Sequence, residues 1–346
     1  MRLRTRLAST ALGMVLAQFL SGTFAQAVDG PPHRFKARHL AVIVNNDDPQ
    51  SVAIGDYYRK RRGISETNII RVRFAPGENA MPLAEFRAIK AVVDGKTTKD
   101  IQVYALTWMK PWQVECMSIT TAFAAGFDPA FCAVGCNPTR LSPYYNSNSW
   151  APNRHYRLRP TMMLAAKDAH EAFALIDRGV KADATYPLGT GYLLETSDKA
   201  RSIRVHQFPP LVKLLGHSVR LDHVRAEYIE SKPDVLFYFT GRVDVPKLET
   251  NTFVPGAIAD HLTSTGGVLT GGSQMSSLRW LEAGATGSYG TVVEPCNLPA
   301  KFPNPYVVIA RYLRGESLVE AYWKSVAMPG QGVFIGEPLA SPFARD

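Results

Sequence analysis

The chain has 346 residues, 46% of them hydrophobic and 20% charged, with a formal charge of +9 and four cysteines. That composition supports a packed core and excludes a disordered, collagen-like or disulfide-dense miniature protein. Its basic residues fall in short runs at 59–62 (RKRR) and 154–159 (RHYRLR), without the aromatic interleaving of a nucleic-acid platform, so no nucleic-acid partner is expected.

Arg2, Arg4 and Arg6 precede an apolar run from Leu7 to Leu20 and then Ala25-Gln26-Ala27. This predicts a signal peptide (residues 1–27), because the run is short for a membrane span and ends in small residues suited to a signal peptidase. Cleavage there removes three arginines and no acid, taking the charge from +9 to +6. An exported protein, periplasmic or extracellular and without a transmembrane segment in its mature chain, is expected. A Pro-rich basic linker covers 28–36, and a single α/β domain is expected over 37–346.

His39 to Val44 (HLAVIV) has the length and continuous apolar character of a strand buried on both faces. It ends at Asn45-Asn46-Asp47-Asp48, where Asp48 as N-cap and Pro49 at the first position open a helix through Arg62, closed by Gly63. Asn68 to Phe74 reads as a strand, Pro82 to Val93 as a helix and Ile101 to Thr107 as a strand, completing a βαβαβ unit. Between 108 and 160 the pattern gives way to aromatics, Gly, Pro, Asn and three of the cysteines. This is read as a cysteine-containing loop insertion, either a lid or substrate wall over a site or a plain surface excursion. Thr161 to Ala165 reads as a strand and Lys167 to Lys181 as an amphipathic helix.

Val235 to Thr240 (VLFYFT) is the strongest strand signal and ends at Gly241, with a helix expected around Ala257 to Leu262. Gly267 to Cys296 then reads as strand, Gly-rich turn, helix, strand and polar turn. Helices follow at Tyr306 to Arg314 and Leu318 to Ser325, with a last strand from Gly332 to Ile335. Alternating strands and helices predict a doubly wound, mostly parallel sheet flanked by helices. No internal repeat is evident. Ligands of such sheets collect beyond the carboxyl ends of strands, which makes Asn45, Asn46, Thr240, Gly241, Thr270, Gly271, Gly272, Gln274 and Glu294 candidate binding residues.

Two side chains are candidate nucleophiles. Cys296 sits at a strand end with His261 or His223 as a possible base, but in an oxidising compartment Cys116, Cys132, Cys136 and Cys296 are read first as disulfide partners, in any of three pairings. Ser273 follows two glycines before a helix, as a nucleophile elbow would present it, although the trailing glycine is missing and helix capping explains it as well. The amides of that turn could hold an anion or carboxylate. Asn45 to Asp48 form a turn rather than a cation site, no metal spacing is found, and no motif calls for a cofactor.

Four blocks, NNDDPQSVAIGDYYRKRRGI (45–64), GGVLTGGSQMSSLRWLEAGATGSYGTVVEPCN (from 266), GESLVEAYWKSV (315–326) and FIGEPLASPF (334–343), resemble a family of exported bacterial proteins that carries no assigned reaction. More distantly, the order of elements is similar to gingipain-type peptidases, whose fold is caspase-like. That resemblance implies a His-Gly pair ending one central strand and a Cys ending the next. The corresponding positions here read Thr240-Gly241 and Thr270-Gly271-Gly272-Ser273, without the histidine or the thiol, and Glu337 stands where the similar proteins tend to have Asp. The expectation is a binding or scaffolding module that has lost the peptidase dyad, with a peptide or an envelope component as partner. The alternative is a hydrolase or peptidase using Ser273 or Cys296, and a third reading attaches the basic surface to envelope polymers.

Overall fold

The computed structural model describes residues 34–345, so the signal peptide and most of the linker lie outside the described residues. The first strand, β1 (Leu40–Asn45), is buried along its whole length. Leu40, Val42 and Val44 face one core while Ala41 and Ile43 face another, which is why the run is continuously apolar. The Asp48 carboxylate accepts from the Gln50 amide at 2.9 Å and caps α1 (Pro49–Arg62), which Gly63 closes in the left-handed region. There follow β2 (Ile69–Val72), α2 (Leu83–Lys96) and β3 (Val103–Leu106).

The 108–160 segment contains α3 (Ile119–Ala125) and α4 (Pro152–Tyr156). Two short strands within it join Ala80–Met81 in a small three-stranded sheet. Trp108, Trp112, Phe123 and Tyr144 are buried, so much of the expected insertion is core-forming crossover between β3 and the next strand. Trp108 Nε1 donates to the Pro111 carbonyl at 3.2 Å, and the Ser142 and Asn146 amides donate to the carbonyls of Ala327 and Lys324, bonds that a freely hanging loop would lack.

The remaining elements are β4 (Thr161–Met163), α5 (Ala169–Ala182), β5 (Thr190–Glu195), α6 (Phe208–Leu215), β6 (Arg220–Arg225), β7 (Val235–Thr240) and β8 (Phe253–His261). They are followed by α7 (Leu278–Glu282), β9 (Gly287–Thr291), α8 (Pro305–Leu313), α9 (Leu318–Ser325) and β10 (Gly332–Gly336). Two expectations are corrected. Of the expected helix 257–262, residues 257–261 belong to a strand, because burial between β7 and β9 overrides the weak helical pattern of Ala-Asp-His. Residues 267–270, where a strand is expected, form a loop, and β5 and β6, which carry no clear strand pattern in the sequence, complete the second half of the sheet.

The protein is α/β, with a ten-stranded sheet in the order β2-β1-β3-β4-β10-β9-β8-β7-β5-β6. Every neighbouring pair is parallel except β9 and β10, which are antiparallel from Gly287–Gly336 to Thr291–Gly332. The sheet is therefore two parallel halves of five strands running in opposite directions. Each half has the same order, second-first-third-fourth-fifth, with β10 serving as fifth strand of the first half. The repeat lies in topology and not in residues, so the sequence did not display it. Helices α1, α5, α6, α8 and α9 pack on one face, and α2, α3 and α7 on the other.

Where β10 ends, the fully buried Glu337 accepts from Tyr58 at 2.6 Å and from Arg62 Nε at 2.9 Å, and Arg62 also pairs with Asp183. This clamp ties the last strand to α1. Two disulfides, Cys116–Cys132 and Cys136–Cys296, fasten the crossover. Among the described residues, no helix is long and apolar enough to cross a membrane.

Two outcomes follow for stability. Glu337→Ala takes one of two carboxylate partners from the buried Arg62 guanidinium and leaves the Tyr58 hydroxyl without its acceptor, and should cost about 3 kcal/mol in urea unfolding. The disulfides close chain separations of 160 and 16 residues. Chain entropy assigns them about 5 and about 3 kcal/mol, so the Cys136→Ser/Cys296→Ser variant should unfold at lower denaturant than Cys116→Ser/Cys132→Ser.

Candidate functional site

Because the halves oppose each other, the carboxyl ends of β1, β3, β4 and β10 lie on one sheet edge, and those of β5, β7, β8 and β9 on the other. The sequence-derived binding residues consequently divide. Asn45 is on the first edge, fully buried, with its side chain bonded to the Phe74 amide and carbonyl and to the Asp47 amide. Asn46 accepts from Arg71 there at 3.3 Å. Both hold the turn that ends β1, and the antiparallel seam keeps them away from Thr240 and Gly241.

On the second edge, β7 ends at Thr240-Gly241. A Cβ on Gly241 would lie 2.1 Å from the Arg201 carbonyl oxygen, so glycine is required by close passage of another backbone. The Gly241 carbonyl accepts from Thr196 Oγ1 at 2.8 Å. The neighbouring strand β8 ends at Asp260-His261, a position the sequence reading assigned to a helix. Arg204, only 2% exposed, reaches Asp260 Oδ1 at 2.6 Å, the Thr240 carbonyl at 2.9 Å and the Pro303 carbonyl at 3.2 Å. One guanidinium thus clamps the ends of both strands. Burial raises the Asp260 carboxyl pKa and Arg204 opposes the rise. Asp260 Oδ2 and Thr240 Oγ1 make no hydrogen bond with the described residues. Arg204 and Asp260 were missed from sequence, since residues so far apart along the chain leave no spacing signal.

His261 is fully committed. Its Nδ1 accepts from Trp280 Nε1 at 2.9 Å and its Nε2 donates to the Met275 carbonyl at 3.0 Å, which fixes the neutral tautomer carrying hydrogen on Nε2. Burial pushes its pKa down to about 4. No lone pair is left to accept a proton from a nucleophile.

The loop 264–277 lies beyond β8. Gln274 Oε1 accepts from Thr263 Oγ1 and the Thr265 amide, both at 2.8 Å, and Thr291 Oγ1 donates to the Ser264 carbonyl at 2.9 Å. Gly266-Gly267 crosses β9 so closely that a Cβ on Gly290 would stand 2.3 Å from the Gly266 carbonyl carbon. Thr270 is half-buried, whereas Gly271, Gly272 and Ser273 are exposed, with Gly271 at φ 73°. Ser273 does not cap the following helix: α7 starts at Leu278, whose amide is accepted by Ser276 Oγ at 3.1 Å. Glu294, also exposed, accepts from the Cys296 amide at 2.7 Å and closes a local turn.

Cys296 is bonded to Cys136, so it has no thiol to offer. His223 sits on the outermost strand β6, two strands from β7, with its Nε2 3.9 Å from Glu195. The edge brings together Thr240, Gly241, His261 and Gln274 and leaves Asn45 and Asn46 elsewhere. Among the described residues, no group of three His, Cys, Asp or Glu side chains forms a metal site. Compared with known proteins, the chain matches no family model, no curated protein and no solved structure.

The buried histidine has a measurable signature. Its folded pKa of about 4 lies below the ordinary 6.5, so the unfolded chain binds the extra proton and stability falls as pH drops from 6.5 toward 4. That loss amounts to roughly 3 kcal/mol at pH 4. Asp260, with its raised pKa, acts in the opposite direction, so the comparison must be between proteins. Urea unfolding of His261→Gln should show a pH 7 to pH 4.5 loss smaller than wild type by about 2 kcal/mol. Equal losses would contradict a neutral, doubly bonded His261.

Proposed function

We propose that the protein is an exported, non-catalytic binding or scaffolding module on a caspase/gingipain-like plan, from which the peptidase dyad has been lost. The observation carrying this reading is the condition of the two groups on which cysteine chemistry would depend. The Cys296 sulfur is committed to Cys136, and both nitrogens of His261 are committed to Trp280 and Met275. A thiolate nucleophile needs a free sulfur and a base able to accept its proton.

The strand ends support the same reading. β7 ends in Thr240-Gly241 where the resemblance calls for His-Gly; Thr270 to Ser273, matched to the thiol position in the sequence, lie in a loop, and the strand beside β7 ends in Asp260-His261, also without a thiol. The polar atoms there hold the two strands together through Arg204. A hydrolase based on Ser273 would need an imidazole beside an exposed turn, and His261 is fully engaged beneath it. Two disulfides and the lack of a membrane-spanning helix among the described residues are compatible with life outside the cytoplasm. The partner is a peptide or a component of the envelope.

Activity-based labelling tests this directly. Non-reduced protein should react neither with a fluorophosphonate nor with iodoacetamide, and Ser273→Ala and Cys296→Ala should leave the result unchanged. Fluorophosphonate labelling abolished by Ser273→Ala would replace the binding module with a serine hydrolase.

A further inference from the structure

A cavity of about 380 Å³ opens at the edge where β1 and β3 begin, within the size range of small-molecule sites. Three exposed cations line it: Arg38 just before β1, Lys99 just before β3 and Arg154 in α4. Among the described residues, none of the three forms an ion pair. Asp100 is the one acid in the lining, and Trp150 supplies an indole wall.

The three cation-bearing segments are held in place by one buried residue, Gln102, through its side chain and its backbone amide. Gln102 Nε2 donates to the carbonyls of Lys99 at 3.2 Å and Asp100 at 3.3 Å, and its Oε1 accepts from the Asn153 amide at 3.1 Å. Its own backbone amide donates to the His39 carbonyl at 2.8 Å, and Asn153 Nδ2 adds a bond to the Lys99 carbonyl at 3.3 Å. Gln102 therefore ties the strand entry, the preceding turn and α4 into one frame. Such a frame fixes the backbone from which the three cations project before any ligand arrives, which reduces the ordering cost of binding.

We propose that this cavity binds an acidic saccharide, a sugar ring carrying carboxylate or phosphate groups. Arg38 and Arg154 present planar forks suited to two-point contact with an oxyanion, and Lys99 adds a point charge. The indole offers a flat apolar wall to the C–H face of a sugar. Asp100 opposes a bare anion but accepts hydrogen bonds from hydroxyl groups, which selects a polyhydroxylated ligand. This assignment rests on the reading of the protein as a binding module and gives that module its ligand class.

Calorimetric titration of the full chain at low salt, with trigalacturonate, glucose 6-phosphate, maltotriose and inorganic phosphate, provides the test. Binding of trigalacturonate or glucose 6-phosphate is expected, and whichever binds identifies the acidic group. Lys99→Gln/Arg154→Gln should weaken it at least tenfold, and Gln102→Leu several-fold without any change of charge. Trp150→Ala should weaken the saccharide and leave phosphate unaffected. The proposal is overturned if neither acidic sugar binds, if inorganic phosphate binds as tightly, or if Lys60→Gln, outside the cavity, weakens binding as much as the double variant. Hydrolysis of the bound sugar would sink the module reading and leave this site standing. An inert chain that binds none of the four would do the reverse.

Discussion

The antiparallel pairing of β9 with β10 governs the arrangement of everything else. Two half-sheets with the same strand order meet there, and because they meet in opposite directions their carboxyl ends point to opposite edges. In an ordinary doubly wound sheet all such ends lie on one side and the ligand site follows from that. Here each edge mixes the amino ends of one half with the carboxyl ends of the other. The edge carrying the Arg204–Asp260 clamp is also the edge at which β1 and β3 begin, so the cationic cavity shares a side with the ends of β7 and β8.

That clamp also explains why the strand ends look so little like a reactive centre. Arg204 and Asp260 are both 2% exposed, and such a pair is held by geometry and hydrogen bonds against a large desolvation cost. The guanidinium reaches backbone carbonyls at the ends of two elements besides its carboxylate. With His261 fixed by Trp280 on the other face of β8, the polar groups of this edge brace the fold. His261 and Arg204 have committed their polar atoms, and Asp260 Oδ2 and Thr240 Oγ1, which make no hydrogen bond with the described residues, are buried.

Much of the first half was legible in the sequence. A continuous apolar run marked β1, as another marked β7 in the second half, and Asp48-Pro49 and Gly63 marked both ends of α1, because these signals are local. The second half was harder. β8 carries Pro, Gly and Asp in a nine-residue strand, and its identity comes from burial between neighbours rather than from pattern. The stretch from Gly267 read as a strand, yet Gly266 and Gly267 lie in a loop and permit one backbone to cross another at Gly290. Of the residues at this edge, Thr240 and Gly241 stand out in the sequence as a strand end, whereas His261 is singled out as a possible base within a segment that reads as a helix. Arg204, Asp260 and Gln102 act through tertiary neighbours and left no trace in spacing.

Strand β10 occupies the middle of the sheet although it is encoded near the end of the chain. Synthesis delivers residues in order, so β4 and β9 are both available before the strand that must pair with each of them. Until 332–336 emerge, each half-sheet has a bare inner edge, the feature that invites pairing with another chain. Two copies could then exchange this strand, each completing the other's first half with the same hydrogen bonds and the same Glu337 contact to α1. The monomer and the exchanged pair would differ in connectivity and hardly at all in contacts, leaving their balance to concentration and to the order in which the ends arrive.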